Sequence, residues 1–130
     1  MKKVYFAGSI RGGHDDVEIY EGIINRLREK YEVLTELVGV KDIDSIEEKT
    51  MTDVQIYEKD CAWMKECDFM VAEVSTPSLG VGYEIAYAES LGKPIICLFR
   101  TGQGRKLSAM INGNKNIRVI TYKSLEDINI

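Results

Sequence analysis

The chain has 130 residues, 45% of them hydrophobic and 29% charged, with a formal net charge of −4. That length supports one core and is too short for two, and the acidic balance leaves no whole-chain footprint for nucleic acid, so any anion site must be local. Three cysteines without a common zinc spacing and a single histidine exclude the usual metal centres, and no apolar run is long enough to span a bilayer.

Residues 3–7 are apolar and end at Gly8, which predicts a buried first strand. A strand so near the start leaves no room for a signal peptide, and Cys61, Cys67 and Cys97 read as buried reduced thiols, so a cytoplasmic protein is expected. After the loop Gly8-Ser9-Ile10-Arg11-Gly12-Gly13, Asp15 or Asp16 can cap a helix carrying Val17, Tyr20, Ile23, Ile24 and Leu27 at helical spacing. A short second strand is predicted over 31–34, and residues 35–50 read as a polar loop with some helix.

Thr52 or Asp53 can cap a helix over 54–67 with Ile56, Cys61 and Met64 inward. A third strand covers 69–72, and the turn-rich stretch 75–82 leads into a helix from Gly82 to Leu91, stopped by Gly92. A fourth strand is predicted over 94–99, a short helix near Leu107, a fifth strand over 117–120 and a last helical turn. Continuous apolar strands alternating with helices imply an open, doubly wound parallel five-stranded α/β sheet, one domain over 1–130 without internal repeats. Ligands of such sheets bind beyond the carboxyl ends of the strands, where the strand order reverses, so the loops after strands one, three and four matter most.

The first of these loops offers backbone N–H groups, the Ser9 hydroxyl and the Arg11 guanidinium, a set suited to phosphate. It is neither a Walker loop nor a dinucleotide fingerprint, and an ordinary glycine-rich turn has the same composition. Ser78, Gly80 and Gly82 precede Glu84, which the predicted boundaries put in the first turn of a helix. There the dipole would lower its pKa and keep it ionised, as a carboxylate nucleophile at a sugar carbon must be, although glutamate is common in first turns. Asp60, beside Cys61 and three residues before Trp63, is a second carboxylate that could pair with it or be an ordinary surface aspartate. His14 reads as a solvated residue at a helix start, and the acidic run 42–48 as a solvated loop.

Taken in order, the segments 4–13, 33–36, Asp60 with Trp63, 71–74, 77–84, 97–100, Gly104-Arg105 and Leu107-Ser108-Ala109-Met110 resemble the nucleoside 2-deoxyribosyltransferase superfamily. Within it they are most similar to the 2'-deoxynucleoside 5'-phosphate N-hydrolases. The resemblance implies that Glu84 forms a covalent deoxyribosyl-enzyme, that Asp60 assists at the scissile bond, and that Tyr5 places the nucleophile and shapes the sugar pocket. It puts Ser9, Arg11 and Ser78 at the 5'-phosphate, with Ile10 and Gly12 in the same substrate-binding loop and Gly80 and Gly82 keeping the backbone close. It also implies a homodimer in which Ser108 contacts phosphate and Met110 lines the site from the neighbouring subunit. The chain departs from the family pattern at Leu37, where members carry His, at His14, where they often carry Arg, and over 38–53.

The implied reaction releases a free base and 2-deoxyribose 5-phosphate from a deoxynucleoside monophosphate, with no metal or organic cofactor, no nucleic-acid partner and no membrane. A deoxyribosyltransferase acting on unphosphorylated nucleosides is the nearest rival; Ser9, Arg11, Ser78 and Ser108 speak against it. An N-glycosidase of ribonucleotides such as CMP is another, and Tyr5 favours deoxy substrates. A non-catalytic nucleotide-binding module would not need the Asp60 and Glu84 pair, and a flavodoxin-like electron carrier shares only the fold.

Overall fold

The computed structural model describes residues 1–10, 14–37 and 51–130. The elements run β1 (Lys3–Ala7), α1 (His14–Arg28), β2 (Glu32–Leu34), α2 (Asp53–Glu66), β3 (Phe69–Glu73), α3 (Leu79–Ser90), β4 (Ile95–Arg100), α4 (Ala109–Asn112), β5 (Ile117–Tyr122) and a closing 3-10 turn (Leu125–Asp127). The five strands form one parallel sheet in the order β2-β1-β3-β4-β5. The chain leaves β1 on one side for β2 and returns on the other for β3, so the order reverses between β1 and β3.

Alternation along each strand divides the core. Val4, Phe6, Val71 and Leu98 pack with Tyr20, Ile23, Ile24 and Leu27 of α1. Tyr5, Ala7, Met70, Ala72 and Cys97 face the other way, against Cys61 and Met64 of α2 and Val81, Ile85 and Ala88 of α3. Each such large side chain contributes about 1.5–3 kcal/mol by leaving water. Two apolar faces explain why the strands read as unbroken apolar runs. The three cysteines are free and buried, and burial pushes the Cys97 thiol up to about 12. Among the described residues, no helix is long and apolar enough to cross a membrane.

The predicted elements that fall on the described residues are present, with shifts that have local causes. Thr52 caps α2 through a reciprocal box: its hydroxyl accepts from the Gln55 N–H at 3.2 Å, and Gln55 accepts from the Thr52 N–H at 2.9 Å. Ile56 is only half-buried, while Cys61 and Met64 face the core as expected. Helix α1 begins at His14, so Asp15 and Asp16 lie inside it and not at its cap. Asp16 instead accepts from the Thr76 hydroxyl at 2.6 Å and lies 3.6 Å from the Arg100 guanidinium. Helix α3 begins one turn earlier than expected, because Ser78 accepts from the Val81 N–H at 3.3 Å and caps it ahead of two glycines. Its end is as expected, with Gly92 at φ 73.

Candidate active site

The alternation that buries Phe6 against α1 turns Tyr5 toward α2 and α3, and there it meets two carboxyl groups. The Tyr5 hydroxyl donates to Oε2 of Glu84, in the second turn of α3. The Tyr5 ring lies against Trp63 of α2, with centroids 6.4 Å apart. Asp60, one turn before Met64 on α2, shares with Glu84 a cleft of about 170 Å³ that is also lined by Tyr57, Cys61, Gly80 and Tyr83. Gly80 and Glu84 also border a second hollow of about 420 Å³, with Gly8, Ser9, Ile10 and Ser78 on its wall. Ser78 is shared in turn with a third of about 770 Å³, where Thr76, Arg105, Lys106 and Ser108 gather. These hollows lie beyond the carboxyl ends of β1, β3 and β4, the place the strand order selects.

Burial sets the charge of this site. It pushes Glu84 up to about 7; the hydrogen bond from Tyr5 pulls it down and the charge of Glu36 pushes it further up. This corrects the expectation of a lowered pKa. Once α3 begins at Leu79, Glu84 falls in the second turn, beyond the reach of the helix start, and desolvation dominates. Asp60 is pushed up to about 9, first by burial, then by its hydrogen bond with Glu36 and the charges of Glu36 and Glu84, against an opposing pull from Lys59. Tyr5 is raised by burial and then by the charges of Glu84 and Asp60, so it stays a neutral donor. Near neutrality the site therefore holds a protonated phenol, a protonated Asp60 and a Glu84 near its midpoint.

A phenylalanine at Tyr5 would remove the donor that holds Glu84 down. The acid limb of kcat/KM is expected to move to higher pH, with about a tenfold loss at pH 7 that shrinks above pH 8. A pH–rate profile checks this, and an unmoved acid limb would remove Tyr5 from that role.

Most of the sequence-predicted residues gather around these hollows. Ser9 is buried, and its N–H donates to the Tyr20 hydroxyl at 3.1 Å. A Cβ on Gly8 would press on the Tyr20 ring at 3.0 Å, so that glycine serves packing. A Cβ on Gly80 would stand 3.9 Å from both Glu84 Oε1 and Ser78 Oγ, so its absence keeps open the space between carboxylate and hydroxyl. Gly82 borders the third hollow, and a Cβ there would meet nothing within 4 Å. Ser78 accepts from a backbone N–H as the α3 cap, which leaves its own proton to donate. Ser108 caps α4 and lies on the third hollow within the same chain, whereas Met110 lines none of the three and is 84% exposed. Arg11 and Gly12 lie outside the described residues, as does the segment 38–50.

Sequence reasoning passed over several groups. Glu73, 2% exposed at the end of β3, accepts from the N–H and hydroxyl of Ser75 at 2.7 and 2.9 Å and from the Tyr122 hydroxyl. Ser75 accepts in turn from the Arg100 N–H at 2.7 Å, and Arg105 donates to the Ser75 carbonyl and the Thr76 hydroxyl at 3.1 Å each. This net braces the segment that carries Ser78. A glutamate closing an apolar strand was its one visible signal. Tyr57 and Tyr83, edge to face at 6.3 Å, form an aromatic wall of the carboxyl cleft, and Glu36 stands behind Asp60.

The profile of the nucleoside 2-deoxyribosyltransferase family matches residues 4–116. A 5-hydroxymethyl-dUMP N-hydrolase of Mus musculus is 53% identical over 111 residues, 85% of this chain and 64% of the mouse protein. The chain thus spans a little under two thirds of that relative's length. A protein of the same name from Tetraodon nigroviridis is 49% identical over 115 residues, 88% of this chain and 81% of its own. The solved structure of a Clostridium botulinum CMP N-glycosidase superposes with a TM-score of 0.67 at 22% identity, covering 97% of this chain and 93% of that one, a likeness of fold. The fold, the position of the site and these matches agree: the chain belongs to the nucleoside 2-deoxyribosyltransferase family.

Proposed function

We propose that this protein hydrolyses the N-glycosidic bond of 2'-deoxynucleoside 5'-monophosphates, releasing free base and 2-deoxyribose 5-phosphate. The observation that carries the reading is the Glu84 carboxyl, held by Tyr5, in one cleft with Asp60 and opening past Gly80 toward the hydroxyls of Ser9 and Ser78. Glu84 is the nucleophile. Its carboxylate stabilises the oxocarbenium-like sugar and then bonds to C1' as the C1'–N bond breaks. Asp60 gives its proton to the departing base. Water then attacks C1', Asp60 takes the water's proton, and Glu84 leaves as carboxylate. A 2'-deoxy sugar eases the step because no electron-withdrawing 2'-hydroxyl opposes the cation.

Ser9, Ile10, Arg11, Gly12, Ser78, Gly80 and Gly82 bind the 5'-phosphate end, and binding there holds the sugar over Glu84. Arg105 and Lys106 on the adjoining hollow favour an anion. Tyr57 and Tyr83 flank the base. Leu79, 97% exposed, and Met110, 84% exposed, are apolar surface that a second copy would cover. In that homodimer Ser108 and Met110 complete the neighbour's site. The chemistry as written needs no metal or organic cofactor, and free buried thiols suit a cytoplasmic setting.

The names of the mouse and Tetraodon relatives make 5-hydroxymethyl-dUMP a substrate to test beside dGMP. Chromatography of free base after incubation with each nucleotide, and with deoxyguanosine plus an acceptor base, tests the reading. Base released from a nucleotide and not from deoxyguanosine is the expected result. Base exchange on deoxyguanosine would replace it with a transferase and remove the phosphate assignments.

A further inference from the structure

Glu73 is a buried carboxyl that the reaction as described does not use. It closes β3 at 2% exposure, a place where an apolar side chain would be desolvated at less cost. Both of its oxygens are occupied. Oε1 accepts from the Ser75 N–H at 2.7 Å, and Oε2 accepts from the Ser75 hydroxyl at 2.9 Å and from the Tyr122 hydroxyl. In the strand order β3-β4-β5, Tyr122 reaches Glu73 across β4, and Arg100, the last residue of β4, donates its N–H to Ser75 Oγ at 2.7 Å. Ser75 is thus held at its amide and its hydroxyl, which fixes the direction of its carbonyl.

That carbonyl is where Arg105 docks. Nη1 of Arg105 donates to Ser75 O and to Thr76 Oγ1, at 3.1 Å each. The Thr76 hydroxyl gives its own proton to Asp16 Oδ2 at 2.6 Å, so it meets the arginine as an acceptor. Two carboxyl groups therefore stand behind Arg105, each one neutral group away. Among the described residues no carboxylate pairs with Arg105 directly, so its charge is left for a ligand. Both docking bonds use Nη1, leaving Nε and Nη2 to donate on the hollow that Ser78 and Ser108 also line.

We propose that Glu73 and Tyr122 are positioning residues for the 5'-phosphate: through Ser75 they set the carbonyl that aims Arg105 at the anion beside Ser78. The inference rests on the proposed hydrolysis and deepens it by naming what fixes a cation at the phosphate end. Neither residue touches substrate. An arginine held in place before the ligand arrives loses less freedom on binding, so the net acts on affinity. It does not act on the bond-breaking step at Glu84, which Tyr5 holds. A brace that only ties β3 to β5 would make the same bonds, and the test separates the two.

NMR follows the Arg105 side-chain N–H resonance while 2-deoxyribose 5-phosphate, or 2-deoxyribose as control, is added to wild type, Tyr122→Phe, Glu73→Gln and Glu73→Ala. The kcat and KM for dGMP are measured on the same proteins. In wild type the sugar phosphate should move the resonance and 2-deoxyribose should not. Tyr122→Phe, which loses one hydroxyl and keeps its ring, should weaken sugar phosphate binding by about five- to tenfold, with KM for dGMP rising in step and kcat within about twofold. Glu73→Ala should lose more. Glu73→Gln, which can still accept from the Ser75 N–H, should recover part of that loss.

An Arg105 resonance that the sugar phosphate leaves unmoved in wild type overturns the proposal, even if no variant folds. So does a Tyr122→Phe protein that binds the sugar phosphate as tightly as wild type, or one that loses kcat with KM unmoved. Failure to release base from any nucleotide, with the sugar phosphate still bound through Arg105, would sink the hydrolase reading alone.

Discussion

Glu84→Ala is expected to lower kcat by at least about a thousandfold while nucleotide binding stays within a few-fold. The residues proposed for the phosphate, Ser9 and Ser78, line the hollow that Glu84 also borders, and their hydroxyls remain in the variant. The carboxylate, by contrast, is the group that the Tyr5 hydroxyl holds in the cleft. Calorimetric binding of dGMP beside single-turnover base release separates the two effects, and near-wild-type release would end the nucleophile assignment. The isosteric Glu84→Gln adds a signed stability test. Burial raises Glu84 from 4.5 to about 7, so the folded protein holds this proton more tightly than the unfolded chain does. The stabilisation is complete below 4.5 and is lost as pH rises through about 7. Glutamine carries no such penalty, so the Tm of Glu84→Gln should exceed that of wild type at pH 8 and approach it at pH 5. A carboxyl that costs stability in the resting protein is the pattern expected of the nucleophile proposed for Glu84.

The same charge–burial balance explains what the sequence could and could not say. Elements were legible where one local signal dominated: apolar runs such as 69–72 made strands, and Gly92 ended α3 as a left-handed stop. The start of α3 was not, because two glycines near its front suggest a loop, and only the Ser78 hydroxyl over the Val81 N–H outweighs their cost. That one-turn error carried into chemistry, since it put Glu84 in the field of the helix start and gave its shift the wrong sign. The pairing of Tyr5 with Glu84 spans 79 positions, so no local pattern encodes it; only the resemblance brought the two together. Glu73 and Glu36 look like ordinary acidic residues in sequence. Their meaning comes from neighbours on β5 and α2, Tyr122 and Asp60, which only the fold supplies.

Asp60→Asn should cost about 10²–10⁴ in kcat and erase the basic limb of the rate profile. Asparagine keeps the shape of the protonated acid and can still donate a hydrogen bond to the base, but it cannot surrender a proton. The loss should therefore depend on the leaving group. A nucleotide whose base departs readily as an anion needs little protonation and should lose far less than dGMP. Wild type, with Asp60 pushed up to about 9, should fall in rate only above that pH, while Asp60→Asn should show Glu84's acid limb alone. That limb should stay where it is in wild type, because Asp60 is already protonated where Glu84 titrates and asparagine changes no charge there. An equal loss for good and poor leaving groups, with the basic limb retained, would assign Asp60 to holding the base in place and leave its protonation to solvent.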